Sequence, residues 1–300
     1  MKKILVALFF AVVLATSGWG ASLTYKETLG GSGTTGTTIT AHADAHTKGS
    51  YTSLGTSTAA SAYVSIVIDT PQQARAYLVD VAADQTGGTT YVDFVKNIPI
   101  VQANEVSVLQ QVVIPVPIIL ASGTQFAARC QSDNGAATVK VHLVLYTGTT
   151  AFTVTFVETF GADTTTSRGQ TVDPGGTGNT KGAWVQLVAA SAGAADYLIP
   201  LVLEQPAMTA VGGSQIWLDV GTGVVSSEAV KVGNAQVVGV GVARFYQQGP
   251  LEVDIASGLR VAARLQSTST TVGRREADVA VVAFVKSAAG AASPCRRILP

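Results

Sequence analysis

Ala121-Ser122-Gly123, continuing through Ala127-Ala128-Arg129-Cys130-Gln131-Ser132, is written a second time as Ala256-Ser257-Gly258 through Ala262-Ala263-Arg264-Leu265-Gln266-Ser267. In each copy a Ser-Gly turn leads into a strand-like run in which Arg alternates with apolar residues. Three further pairs keep the same order. Glu27-Thr28-Leu29-Gly30 returns as Glu158-Thr159-Phe160-Gly161, and Thr47-Lys48-Gly49-Ser50-Tyr51 as Thr180-Lys181-Gly182-Ala183-Trp184. Leu78-Val79-Asp80-Val81 returns as Trp217-Leu218-Asp219-Val220. The offset drifts between about 131 and 139 residues, as loop insertions produce, and so long a period is that of a whole domain. A chain of 300 residues accommodates two such units. Each is large enough to bury a modest core of its own.

The composition points to sheets. Hydrophobic residues make up 47% of the chain and are spread as Val, Ala, Leu and Ile among Thr, Gly and Ser, which suits pleated, half-buried strands. No apolar i, i+3, i+4, i+7 pattern persists for three turns beyond the N-terminal leader. In the first copy strands are expected over 51–54, 62–68, 76–82, 91–95, 106–114, 126–131 and 139–146. Pro115 and Pro117 mark an edge or crossing segment, while the Gly/Thr-rich stretch 30–40 reads as polar punctuation. In the second copy strands are expected over 183–188, 197–204, 214–220, 237–246, 259–266 and 279–285, with Phe152 to Val157 as an opening strand. About eight short strands per copy, with turns every ten or so residues, describe an antiparallel β-sandwich of jelly-roll type. The expected organisation is all-β: two tandem β-sandwich domains, 22–148 and 151–287, and a disordered tail, 288–300. The short connector predicts packed domains.

Residues 1–20 are a separate object. Lys2-Lys3, an apolar run from Ile4 to Ala15 and small residues around Ser17, Gly18 and Gly20 follow the order of a secretory signal peptide, cleaved after Ser17 or after Gly20. The run is short for a bilayer, so no stable membrane span is expected once it is removed; an uncleaved anchor and a chance apolar N-terminus are the alternatives. Two cysteines cannot build a disulfide framework. Cys130 stands where the second copy has Leu265, which predicts a core position. Cys295 lies in the tail, where a bridge to Cys130 and an intermolecular bridge are both open.

Charge excludes some functions. Asp, Glu, Lys and Arg are 13% of the chain and balance to zero, which argues against a nucleic-acid partner. His42-Ala43-Asp44-Ala45-His46 would bring three potential zinc ligands onto one face if extended. The second copy has Gly175, Thr177 and Asn179 there, so a polar loop is the competing reading. No Gly-x-Ser-x-Gly elbow and no Walker loop is present, and no catalytic residue or cofactor is expected. Asp80 and Asp219 could serve acid–base or calcium chemistry, but one in each domain places them too far apart; they are expected to cap turns. Arg129 and Arg264 are expected to bridge across their sheets or to serve a subunit contact. Tyr51 and Trp184 read as core anchors, or, with Trp217, as stacking platforms for sugar rings.

The Thr-Lys-Gly-Ser-Tyr/Thr-Lys-Gly-Ala-Trp runs, the Leu-x-Asp-Val strand and the Ala-Ser-Gly…Ala-Ala-Arg-x-Gln-Ser strand resemble those of β-rich virion proteins of tailed bacteriophages. The resemblance spans roughly 27–147 and 158–286. It implies tandem jelly-roll-like modules in a tail-fibre or decoration component that assembles with copies of itself or with a larger particle. The secretion-type leader departs from that pattern and supports a different expectation, a secreted or cell-surface bacterial protein binding a glycan.

Overall fold

The computed structural model describes residues 22–32, 35–69, 75–101, 111–150, 152–203, 215–238, 245–247, 250–268 and 276–287. The expected leader, the tail with Cys295, and most of 102–114 lie outside these residues. The described chain is all-β, with no helix and therefore none long and apolar enough to cross a membrane.

The first ten strands are β1 (Ser22–Leu29), β2 (Gly31–Ser32), β3 (Thr35–Thr40), β4 (Thr52–Thr56), β5 (Tyr63–Asp69), β6 (Ala76–Asp84), β7 (Val92–Val101), β8 (Gln111–Val116), β9 (Gln125–Ser132) and β10 (Thr138–Thr149). The second ten are β11 (Thr153–Phe160), β12 (Gln170–Val172), β13 (Val185–Val188), β14 (Ala195–Leu203), β15 (Gln215–Thr222), β16 (Ala229–Val238), β17 (Phe245–Gln247), β18 (Leu251–Ile255), β19 (Val261–Ser267) and β20 (Ala277–Ser287). They form two sandwich-like sheet pairs. In the first, β3-β10-β5-β8 faces β4-β9-β6-β7, with β1 pairing β10 and β2 pairing β3. Counted from β3 to β10, that order interleaves early and late strands as a jelly roll does. In the second, β20 pairs β11, β12 and β14, β14 also pairs β17 and β18, and the facing sheet is β13-β19-β15-β16.

The repeat extends to irregularities. The β1/β10 ladder slips between Tyr25 and Glu27, and the β11/β20 ladder between Phe156 and Glu158. At each bulge the glutamate accepts a backbone N–H, from Thr58 at 2.8 Å and from Ala192 at 3.2 Å. Gly30 and Gly161 follow at φ +70° and +81°, a turn in which a side chain would be strained. That is why Glu-Thr-x-Gly was kept twice.

Two stretches differ from expectation. The Gly/Thr segment 30–40 contains β2 and β3, because β-branched Thr pairs readily once β10 offers an edge. At the expected strand 237–246, β16 begins earlier, at Ala229, and β17 covers Phe245 to Gln247, while residues 239–244 lie outside the described residues. Pro115 falls inside β8, at the sheet edge, where its missing N–H breaks no ladder.

The core runs through both sandwiches. Val139, Val141, Leu143 and Leu145 of β10 point into the first sandwich, while the intervening Lys140, His142 and Val144 do not. β20 is buried on both faces: Val279, Val281 and Ala283 enter the second core, and Val282 and Phe284 join the core of the first. From β14, Tyr197, Ile199 and Leu201 do the same. The Phe152 ring stacks on Tyr197, 4.8 Å between centroids. Polar contacts rim this junction. Thr159 Oγ1 donates to the Lys96 carbonyl at 2.6 Å, and Val154 N–H to the Pro117 carbonyl at 2.8 Å. Gln131 Nε2 donates to the Thr164 carbonyl at 2.7 Å and to Ser167 Oγ at 3.0 Å.

Candidate functional site

Four of the recurring pairs, Lys48/Lys181, Asp80/Asp219, Arg129/Arg264 and Tyr51/Trp184, gather on the outer face of each four-stranded sheet. Asp80 sits in β6 where the ladder to β7 slips, and Asp219 sits at the matching slip between β15 and β16. Across each slip an asparagine takes a left-handed conformation, Asn97 at φ +54° and Asn234 at φ +53°. That turn aims its N–H at the aspartate, 2.9 Å to Asp80 Oδ1 and 2.8 Å to Asp219 Oδ1. The lysine before each repeated glycine reaches the same carboxylate: Lys48 Nζ is 2.7 Å from Asp80 Oδ1, and Lys181 Nζ 2.6 Å from Asp219 Oδ2. The strand arginines complete it, Arg129 Nε and Arg264 Nε each 2.9 Å from Oδ2. Asp80 and Asp219 are almost fully buried, at 2% and 1% exposure. Burial alone would raise the Asp219 carboxyl, but the Asn234 N–H, Lys181 and Arg264 outweigh it and hold it below its ordinary value. Lys48 is lowered, chiefly by its own burial, with Asp80 opposing.

The aspartates are thus mid-strand clamps and not turn caps. Each ties the β4/β13 approach, a bulge and an arginine on the neighbouring strand into one joint. Tyr51 and Trp184 are not core anchors either. Both are half-buried on the outer face, beneath the arginines: Arg129 Cζ stands 4.5 Å from the Tyr51 centroid, and Arg264 Cζ 4.3 Å from that of Trp184. The copies differ in a correlated way. The Tyr51 hydroxyl donates to Asp93, which also accepts Arg129 Nη2 at 3.2 Å and lies 3.5 Å from Lys96 Nζ. The register puts Val230 in the place of Asp93, and the second copy carries Trp184, which has no hydroxyl to satisfy.

His42 and Asp44 contact each other, 3.3 Å between Nδ1 and Oδ2. His46, at φ +59°, turns instead to Ser167 of the second sandwich, 2.9 Å between Nδ1 and Oγ. The segment bends at Ala43–Asp44 and turns at Ala45–His46, so the alternation that would align three ligands is missing. Among the described residues no group of three or more His, Cys, Asp and Glu is placed to hold a metal ion. Cys130 is fully buried and unbridged, and burial pushes its thiol up to about 12. It is expected to react with a thiol reagent only on unfolding; modification of the native protein at neutral pH would contradict this.

A third row was not legible in the sequence. On the outer face of β6, Leu78 is flanked in register by Gln131 and Pro99, and all three are buried beside the second sandwich. The same row in the second copy is Trp217, Gln266 and Gln236. Here Trp217 and Gln266 are half-buried and Gln236 is exposed. The Leu78/Trp217 exchange was the signal available in the sequence.

No family model matches the chain, and no curated protein does. Among solved structures it is similar to the N-terminal CBM22-1–CBM22-2 tandem domain from Paenibacillus barcinonensis Xyn10C, with 10% identity, 91% of this chain and 94% of that chain covered, and a TM-score of 0.25. The infectious bursal disease virus Gx strain structure is similar at 10% identity, covering 92% of this chain and 74% of that one, TM-score 0.25. That of the Gt strain is similar at 10% identity, covering 89% and 72%, again with a TM-score of 0.25.

Proposed function

We propose that this chain is a non-enzymatic structural protein, a virion-type component of tail or decoration kind, which works by associating into a larger assembly and displaying its loops. It acts in a virion or outside the cell. The supporting observation is the shared core: one buried cluster unites the two sandwiches into a single packed block. The charged residues kept in both copies are spent on holding strands together, which suits a scaffold better than a reaction centre.

The alternative is a secreted or cell-surface protein that binds carbohydrate, and one observation favours it. Trp217, half-buried on the outer sheet face, lies beside the exposed Gln236, an indole and an amide suited to stacking on and hydrogen-bonding to a sugar ring, while the Gln266 amide is held by the Asn179 carbonyl at 3.0 Å. Tyr51 and Trp184 suit this less, since an arginine occupies one face of each ring. Sedimentation across a concentration series, run beside glycan-array binding of the protein and of Trp217→Ala, separates the readings. Concentration-dependent association without Trp217-dependent glycan binding is expected. A strict monomer that binds a glycan and loses it in Trp217→Ala would replace the structural reading with the alternative.

A further inference from the structure

The two clamps are alike, but what lies beside them is not. In the first copy a second carboxylate closes the outer edge of the Arg129 guanidinium. Asp93 accepts Arg129 Nη2 at 3.2 Å and the Tyr51 hydroxyl, and Lys96 Nζ lies 3.5 Å from it. In the second copy every member of that group except the arginine is exchanged. Val230 stands in the place of Asp93, Trp184 in that of Tyr51, and Gly233, next to Asn234, in that of Lys96, next to Asn97. Arg264 keeps its Nε bond to Asp219 at 2.9 Å and its position over the indole. Among the described residues no second carboxylate pairs with its Nη groups.

The open guanidinium is held as firmly as the closed one. Residue 221 is glycine where the first copy has Ala82, and a Cβ there would come within 2.8 Å of Trp184 Cη2, so the glycine lets the indole lie against β15. Stacked on that ring and tied at Nε, Arg264 keeps its planar Nη pair for an outside acceptor. Val230 is 49% exposed. Gly233, whose Cβ position is 3.3 Å from Val230 Cγ1, leaves open the approach that Lys96 flanks in the first copy.

We propose that Arg264 anchors a binding site for an organic carboxylate with an apolar body. The acid group takes the position over Arg264 that Asp93 takes over Arg129, and the apolar body covers Val230. The first copy thus carries the site filled by its own side chain, and the second carries it open. A cation already fixed by Asp219 and Trp184 loses little freedom when a ligand arrives, which favours binding. The site goes beyond the assembly reading and does not depend on it.

The test titrates benzoate, acetate and the uncharged benzamide into the full chain, followed by the Arg264 Nε–H signal in nitrogen-15 NMR spectra and by calorimetry. Both acids are expected to shift that signal saturably, benzoate about tenfold more tightly because its ring covers apolar surface at Val230. Benzamide should leave it unmoved. Val230→Asp restores the first copy's own carboxylate and should abolish binding of both acids. Val230→Thr keeps the shape but adds a hydroxyl, and should narrow the gap between benzoate and acetate. Native circular dichroism of both variants keeps misfolding apart from loss of the site. No saturable shift by either acid overturns the proposal. So does binding that persists in Val230→Asp, which would mean an adventitious ion only, and so does benzamide matching benzoate. Polyglutamate binding that Val230→Asp removes, with both small acids inert, would assign Arg264 to a protein contact and overturn the small-ligand site.

Discussion

Asp219→Ala is expected to destabilise the protein by about 3 kcal/mol, toward the lower end of the range for breaking a buried ion pair. The carboxylate is 1% exposed and accepts from Lys181, Arg264 and the Asn234 N–H. Removing it strands two cations and one backbone donor at a strand irregularity. The lysine and arginine side chains retain 30% and 24% exposure, so water recovers part of the loss. For a chain of this size the melting midpoint should fall by roughly 6–12 °C. The same carboxyl gives a pH signature. Its folded value lies below the ordinary 3.8, so the unfolded state takes up its proton first as the pH falls. Its contribution is therefore complete above that ordinary value and is lost as pH drops through it toward the folded value. Urea titrations at neutral pH and near pH 3 should show the gap between wild type and Asp219→Ala closing in acid. A gap that persists unchanged would remove the clamp from the account. Asp80→Ala should behave alike at neutral pH, since Lys48, Arg129 and Asn97 surround it in the same way.

Phe284→Ala is expected to cost about 3–5 kcal/mol, the usual range for emptying a large aromatic from a core. Phe284 is fully buried, with Phe156 packed edge-on at 6.1 Å, in the cluster that joins the sandwiches. Because that cluster belongs to both, the substitution should move one transition and not split it. Tryptophan fluorescence, which in a Trp19→Phe background reports on the second sandwich through Trp184 and Trp217, and far-ultraviolet circular dichroism, which reports on both, should shift together in urea. Fluorescence moving alone would mean that the sandwiches unfold independently.

Strand class and most strand positions were legible because burial on one side writes a period of two into the sequence. Val139 to Tyr146 and Phe126 to Gln131 carry that alternation and became β10 and β9. The Gly/Thr stretch before them carries none, and its pairing depends on an edge that only a folded β10 supplies. The clamp residues were legible as recurring letters but not as a cluster. Lys48 and Asp80 are far apart in sequence, and their meeting depends on a bulge and on the left-handed Asn97, neither of which has a composition signal. Tyr51 and Trp184 read as core for a related reason: an aromatic after a turn looks buried until the fold lays an arginine from another strand over it.

Alternation and repetition are properties of the string, so the β-rich class and the doubling of most of the chain can be read from the residues alone. The string also marks Cys130 as a core position, since its counterpart is leucine. Which side of each copy is covered follows from packing and from nothing in the string. β20 reads as an unbroken apolar run, and such a run does not say what lies on its second face. Packing places Val282 and Phe284 against the other copy and buries Leu78, Gln131 and Pro99, while Trp217 and Gln266 stay half-buried and Gln236 exposed. The same strand is interior in one copy and surface in the other because burial belongs to the contact between copies, and each copy meets its neighbour through a different side.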